Sequence, residues 1–322
     1  MPTVRVAVVQ GETGFGSSRA LDLTRSLAAD AAARGAMLIA FPETWLPGYP
    51  IWLDVCRDVA LWDHNPTKQL FRRYAEASVD VGGPTGTALA DLARELGVTL
   101  VIGVSERVER GPGNLTLYNS LLTFGPDGRL LNHHRKLMPT FSERMLWGQG
   151  DANGVRAVET PAGRVGGLIC WEHWMPMPRQ ALHDSGTQIH VAAWPTAHER
   201  NQIASRHIAF EGRCFVLVAA SVMRASALPT EVTPHPEIVT SPDQWVLRGG
   251  SAIVGPDGFY LEEPLFDGPG TLVADLELGR IREESMTLDT SGHYSRPDCF
   301  EFTVLERPRG DRRTTVGLDA PT

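Results

Sequence analysis

Three segments of the chain set reactive polar groups directly after apolar, strand-like runs. In the first, Phe41-Pro42-Glu43-Thr44-Trp45-Leu46-Pro47-Gly48-Tyr49-Pro50, a carboxylate follows the run Met37–Phe41 and lies among prolines and aromatics. Desolvation raises the pKa of such an acid toward what a general base needs at neutral pH. An isolated glutamate after a strand is as readily a helix N-cap or a loop acid, so Glu43 gains meaning only from its partners. The second segment runs from His133 to Arg144 and reads His-His-Arg-Lys-Leu-Met-Pro-Thr-Phe-Ser-Glu-Arg. Its basic tetrad alone is a solvated hairpin end. Lys136, however, leaves the strand into an apolar, proline-containing loop, and Glu143 returns a carboxylate seven residues later. An ammonium held near a reacting centre neutralises developing negative charge.

The third segment, Gly166-Gly167-Leu168-Ile169-Cys170-Trp171-Glu172-His173-Trp174-Met175-Pro176, ends an apolar strand at a cysteine. A thiol at a strand-to-helix turn faces backbone N–H donors and a helix N-terminus, which lower its pKa and expose it. Cys56, Cys214 and Cys299 lack this setting, and Cys214 reads as core, the usual fate of a free cysteine.

Other chemistries use the same residue types. Cys170, Glu172 and His173, with His190, His198 and His207 downstream, offer metal-ligand atoms but no zinc spacing of the C-x-x-C or H-E-x-x-H kind. Cys170 could pair with His134 or His173 as in a cysteine protease, yet the local signatures of those families are missing. Without a phosphate loop or a dinucleotide fingerprint, no organic cofactor is implied, and no metal is expected.

The elements that would carry these groups alternate between strand and helix. Val4–Val9 reads as a strand. The run from Ser18 to Arg34, with Leu23, Leu27 and Ala31 four apart, opens with capping serines, stops at Gly35 and reads as a helix. Thr87–Leu96 is a helix closed by Gly97, followed by a strand over Val98–Val104. Tyr118–Phe124 and Arg129–His134 flank Gly125-Pro126-Asp127-Gly128, a tight-turn composition repeated at Gly255-Pro256-Asp257-Gly258 between Ala252–Val254 and Phe259–Leu261. Arg164–Ile169, Gln188–Ala193 and Cys214–Ser221 read as strands, and Asn201–Arg213 as a helix. Hairpins mixed with βα units predict an α/β layered sandwich. Periodicity fades after about Ser285, which divides the chain into a domain over 1–285 and a tail over 286–322, with Glu306–Thr322 its most polar part.

At 322 residues, 42% of them apolar, the chain can bury a sizeable core. Thirty basic against 38 acidic residues, a net charge of −8, leave no surface made for nucleic acid. Apolar runs fall short of the roughly 18 residues of a membrane span, the N-terminus lacks the marks of a signal peptide, and four scattered cysteines do not form a disulfide framework. The expectation is a soluble cytoplasmic protein without nucleic-acid or membrane partners.

Taken together, the three segments resemble the nitrilase (carbon–nitrogen hydrolase) superfamily over Val4 to about Phe300, with Glu43, Lys136 and Cys170 on the positions of its Glu, Lys and Cys, and Glu143 on its second glutamate. Phe41–Pro50, His134-Arg135-Lys136-Leu137-Met138-Pro139-Thr140, Trp147-Gly148-Gln149-Gly150-Asp151, Cys170–Pro176 and Asp289–Asp298 are similar to the true nitrilase branch rather than to amidases or carbamoylases. The resemblance implies a four-layer αββα sandwich. It also implies pairing into an eight-layer αββααββα dimer, and further self-association into spirals or filaments to which the tail contributes contacts. It implies a nitrile substrate, with Glu43 as base, Cys170 as nucleophile, Lys136 stabilising negative charge and Glu143 orienting. These groups should titrate as one coupled cluster. The rivals are an aliphatic amidase or carbamoyl-amide hydrolase, a cyanide-degrading nitrilase, and a silent scaffold. Tyr49, Trp52, Trp171 and Trp194 are candidate walls of an apolar pocket, with His134, Thr196 and His198 beside them, although aromatics of this kind also serve as plain core.

Overall fold

Strand β1 (Thr3–Gln10) turns Val4, Val6 and Val8 to one side and Ala7 and Val9 to the other, and all five are buried. A strand covered on both faces belongs to the middle of a layered fold. In this computed structural model, which describes residues 3–13, 19–111 and 113–305, β1 lies within a six-stranded sheet. It runs parallel to β2 (Leu38–Ala40), which runs parallel to β3 (Thr99–Arg107); β4 (Leu117–Phe124) and β5 (Leu130–Arg135) extend the sheet antiparallel.

The second sheet holds β6 (Val158–Thr160), β7 (Gly163–Ile169), β8 (Ile189–Ala193), β9 (Phe215–Ala219), β10 (Val222–Arg224), β11 (Trp245–Val254) and β12 (Tyr260–Phe266). Its centre, β7–β8–β9, is parallel. The chain then returns to the first sheet as β13 (Gly270–Glu277), antiparallel to β1. One core cluster joins the sheets: Val4, Val6, Val8, Val101 and Leu121 from the first meet Val165, Ile169, Val191 and Leu217 from the second.

Parallel neighbours need crossovers, and helices supply them. Helix α1 (Ala20–Ala33) packs Ala28 and Ala31 with Leu89, Leu92 and Ala93 of a later helix against the outer face of the first sheet. A short α2 (Trp52–Val55) and α3 (Asn65–Ala77) lead to that later helix, α4 (Pro84–Leu96). Helices α5 (Pro176–Asp184) and α6 (Glu199–Gly212) cover the second sheet, and α7 (Gly279–Glu284) follows β13. The order helix, sheet, sheet, helix is the αββα sandwich.

Local expectations hold with small shifts. Gly97 caps α4 at φ 64°. Both Gly-Pro-Asp-Gly turns close alike, with Gly125 N–H on the Arg129 carbonyl at 2.9 Å and Gly255 N–H on that of Phe259 at 2.8 Å. Helix α6 starts at Glu199, earlier than periodicity places it, and Arg213 ends it in the left-handed conformation at φ 46°. Helix α3 and strand β13 are additions to the elements read from the sequence. The serines expected to cap α1 and the polar part of the tail, 306–322, lie outside the described residues. Among the described residues no helix is long and apolar enough to cross a membrane. Cys56, Cys170 and Cys214 are buried free thiols, and Cys299 is exposed.

Candidate active site

Glu43, Lys136 and Cys170 each follow the last residues of a strand, two in the first sheet and one in the second. After β2 the chain keeps to the path of β3: Phe41 N–H donates to Val101 O at 2.8 Å, and Gly103 N–H to Pro42 O at 3.2 Å. This close approach requires glycine at 103, where a Cβ would stand 2.3 Å from Pro42 O and 2.6 Å from Thr44 N. Glu43 is thereby carried inward, fully buried. Lys136 continues β5, its N–H on Asn119 O at 2.7 Å and its carbonyl taking Gly150 N–H at 2.8 Å. Its ammonium is turned into the core, and the residue is 1% exposed.

Cys170 terminates β7 at φ 53°, a left-handed conformation that an L-residue keeps only when its surroundings impose it. A 3-10 turn over Cys170–Trp174 follows, and α5 begins after it. Glu143 sits in a second 3-10 turn, Phe141–Met145, where Thr140 N–H donates to its Oε2 at 2.7 Å.

Four charged or ionisable groups therefore converge. Lys136 Nζ lies 3.0 Å from Glu43 Oε1, and 3.0 and 2.7 Å from the two oxygens of Glu143. Asn119 Nδ2 donates to Glu43 Oε1 at 2.6 Å, and the Tyr49 hydroxyl donates to Glu143 Oε1 at 2.9 Å. Ligand atoms of Glu43, Glu143 and Cys170 lie within 4.8 Å of one another. Glu43 Oε2 is buried with no hydrogen-bond partner. That free oxygen is the proton acceptor the site offers to a neighbouring thiol or water.

By type, two carboxylates and a thiol also form a metal-ligand set. Here the Lys136 ammonium is already bonded to both carboxylates and supplies the positive charge that a cation would bring. Glu172 and His173 are not free to ligate either: Glu172 takes two backbone N–H groups and His134, and His173 Nδ1 is bonded to Cys170 O at 2.6 Å.

Burial governs the electrostatics. Desolvation, reinforced by Glu143 and only partly offset by Lys136 and Asn119, raises the Glu43 carboxyl to about 7. Burial and the nearby Glu43 push the Cys170 thiol well above its ordinary value, with Lys136 opposing. Burial alone would lower Lys136, but Cys170, Glu43 and Glu143 together raise it, so it stays an ammonium. The depressed thiol expected at the strand-to-helix turn is thus absent. A 3-10 turn gives little aligned dipole, and the loss of water outweighs it. Burial and Glu43 thus favour the protonated form of the thiol.

A cavity of about 660 Å³ opens onto this cluster, lined by Cys170, Glu143, Tyr49, Trp171, Thr196 and His198 among others. Trp171 is 55% exposed at its mouth. Three expected wall residues stand elsewhere: Trp52 packs edge-on to Tyr74 in a separate core cluster, Trp194 lies under the His173 ring at 4.6 Å, and His134 is bonded to Glu172. Two residues that hold the site together escape a reading of the sequence. Asn119 is a polar residue inside the apolar run Leu117–Phe124, which is a usable signal. Glu172 stands out in the sequence only as a metal donor.

Residues 5–284 match the family described as Carbon-nitrogen hydrolase. The chain is 41% identical over 318 residues to a bifunctional nitrilase/nitrile hydratase of Lupinus angustifolius, covering 95% of this chain and 87% of that protein. It is 38% identical over 316 residues to Nitrilase 1 of Arabidopsis thaliana, covering 95% and 88%. Among solved structures, Saccharomyces cerevisiae Nit3, a member of branch 10 of the nitrilase superfamily, shares the fold with a TM-score of 0.69 at 19% identity, over 91% of this chain and 97% of that one. A Xanthomonas campestris protein of the superfamily gives a TM-score of 0.68 at 19% identity, over 95% and 100%. With a family match that spans residues 5–284, this chain belongs to the carbon-nitrogen hydrolase family.

Proposed function

We propose that the protein is a nitrilase, hydrolysing an organic nitrile and two waters to a carboxylic acid and ammonia. The observation that carries the reading is the buried cluster of Glu43, Lys136, Glu143 and Cys170, of which Cys170 and Glu143 line a cavity. Similarity to proteins named nitrilase selects a nitrile over an amide.

A nitrile carbon is weakly electrophilic and calls for a thiolate. Glu43 accepts the Cys170 proton as sulfur bonds to the nitrile carbon and passes it to the nitrogen, giving a thioimidate and regenerating the carboxylate. Lys136, an ammonium at this site, stabilises the negative charge that builds on nitrogen. Glu43 deprotonates a water that adds to the same carbon. The C–N bond of that tetrahedral adduct breaks, ammonia leaves, and a thioester remains. A second water, activated in the same way, releases the acid and returns the proton to sulfur. Glu143 and Tyr49 hold Lys136 and the substrate end of the cavity rather than transferring protons. Tyr49, Trp171 and Thr196 contact the nitrile's carbon skeleton, while Trp52, Trp194 and His134 act from behind the wall.

Self-association, a cytoplasmic location and a boundary near Ser285 complete the reading. They rest on the family resemblance and on the end of regular structure at α7. The deciding experiment is an ammonia-release screen over aliphatic, aromatic and arylacetonitrile substrates and cyanide, each run beside the matching amide where one exists. Ammonia and acid from a nitrile, faster than from its amide, support the reading; turnover of the amide alone overturns it.

A further inference from the structure

The sulfur and the ammonium belong to different sheets, so something must set the distance between the end of β7 and the end of β5. We infer that Glu172 is the positioning residue that does so, acting through the backbones on either side. Its carboxylate is fully buried and makes contacts on both sides of the inter-sheet gap. It accepts Ile169 N–H at 2.8 Å, one residue before Cys170, and Leu137 N–H at 2.7 Å, one residue after Lys136. His134 Nε2, two residues before Lys136, lies 2.9 and 3.1 Å from its two oxygens.

Several features make this more than a buried acid satisfying itself. One N–H belongs to the last residue of β7 and the other lies two residues past the end of β5, and these strands are in separate sheets with no ladder between them to fix their register. The two backbone bonds divide between the oxygens, Leu137 N–H on Oε1 and Ile169 N–H on Oε2, while His134 bridges both. An ionised carboxylate accepts on both oxygens without donating, whereas an amide offers one acceptor and turns its N–H₂ against the remaining donor. The surroundings keep it ionised, since His134 and the two backbone N–H groups lower its pKa against the burial that would raise it. Cys170 itself sits in a left-handed conformation that needs an external restraint, and the Ile169 bond lies one residue away.

The role rests on the hydrolytic reading above but is tested apart from it. Glu172→Gln keeps the size of the side chain and breaks one of the two backbone bonds. In the parent, Lys136 favours the Cys170 thiolate while Glu43 and Glu143 oppose it, and the Lys136 effect exceeds that of Glu143 on the same segment; if the end of β5 drifts from that of β7 while Glu43, after β2, stays in place, the help of Lys136 is lost. Alkylation of Cys170 by iodoacetamide, followed by mass spectrometry from pH 6 to 10, should therefore move to higher pH and slow by about tenfold at pH 7.5, the loss of thiolate that follows when its titration midpoint rises by about one on the pH scale. On a nitrile that the parent turns over, kcat should fall by about a hundredfold with KM nearly unchanged, as expected when reacting groups move and binding does not. A stability loss alone would move neither the alkylation profile nor the KM–kcat split of the folded enzyme. If Glu172→Gln does not fold, His134→Phe, which removes only the side-chain donor, should move the alkylation profile the same way. A profile matching the parent's in the folded variant overturns the inference. A parent that turns over no nitrile would overturn the proposed function but leave the alkylation result readable.

Discussion

Asn119 holds Glu43 and Lys136 together from one position: its side-chain N–H donates to Glu43 Oε1 at 2.6 Å, and its carbonyl takes the Lys136 N–H at 2.7 Å. The side-chain bond favours the charged form of Glu43, working against the burial that raises its pKa. In Asn119→Leu that contribution is gone. The carboxyl should hold its proton more tightly, and the acid limb of kcat/KM against pH should move to higher pH. An unmoved acid limb would contradict the assignment of Glu43 as base.

The same carboxyl sets the pH behaviour of the parent. As a base it must be ionised, so kcat/KM should rise with pH through about 7. Folding responds in the opposite direction. The carboxyl is raised from the usual 4.5 to about 7, so its contribution to stability is fully present below 4.5 and is lost as pH rises through 7. Glu43→Gln should abolish ammonia release and flatten that part of the stability profile, as followed by urea titration at pH 4.5 and pH 8.

Cys170→Ala removes the proposed nucleophile and little volume. Ammonia release should fall to background, a loss of at least about a thousandfold, while circular dichroism stays that of the parent. Turnover retained in this variant would rule out covalent catalysis by Cys170.

Gly103→Ala tests the close crossing behind Glu43, where an added Cβ would stand 2.3 Å from Pro42 O. The backbone cannot yield locally, so the change should cost about 1–3 kcal/mol of stability and lower kcat by moving Glu43. Thermal melting and steady-state kinetics report the two effects separately.

Beside the site, buried Glu106 accepts Arg135 Nε at 2.9 Å, His133 Nε2 at 2.7 Å and Ser120 Oγ at 2.7 Å. Glu106→Ala removes the carboxylate that neutralises the buried Arg135 guanidinium, next to Lys136, and should cost about 3–5 kcal/mol. A urea midpoint equal to the parent's would show that the cluster contributes little.

Much of this is legible without the fold. A chemically reactive residue placed just after an apolar run marks the end of a buried strand, and that pattern singles out Glu43 and Cys170 because strand burial is written locally in hydrophobic spacing; Lys136 stands out instead by leaving a polar strand end for an apolar, proline-containing loop. The Gly-Pro-Asp-Gly turns and the glycine stop after α4 are equally local. What the chain alone does not declare are distances between segments remote in sequence and the dielectric at their meeting point. Helix-turn reasoning predicts a depressed Cys170 thiol, whereas packing buries it and raises it. Trp52 and Trp194 have the composition of pocket walls, and only the three-dimensional packing sends them into the core while leaving Trp171 at the cavity mouth. Asn119 and Glu172 take their roles from neighbours in other strands, such as Glu43 and Leu137. Residue type and spacing fix which groups exist and where strands end, but pKa, orientation and reach are properties of an enclosed volume, which exists only after both sheets have closed over it.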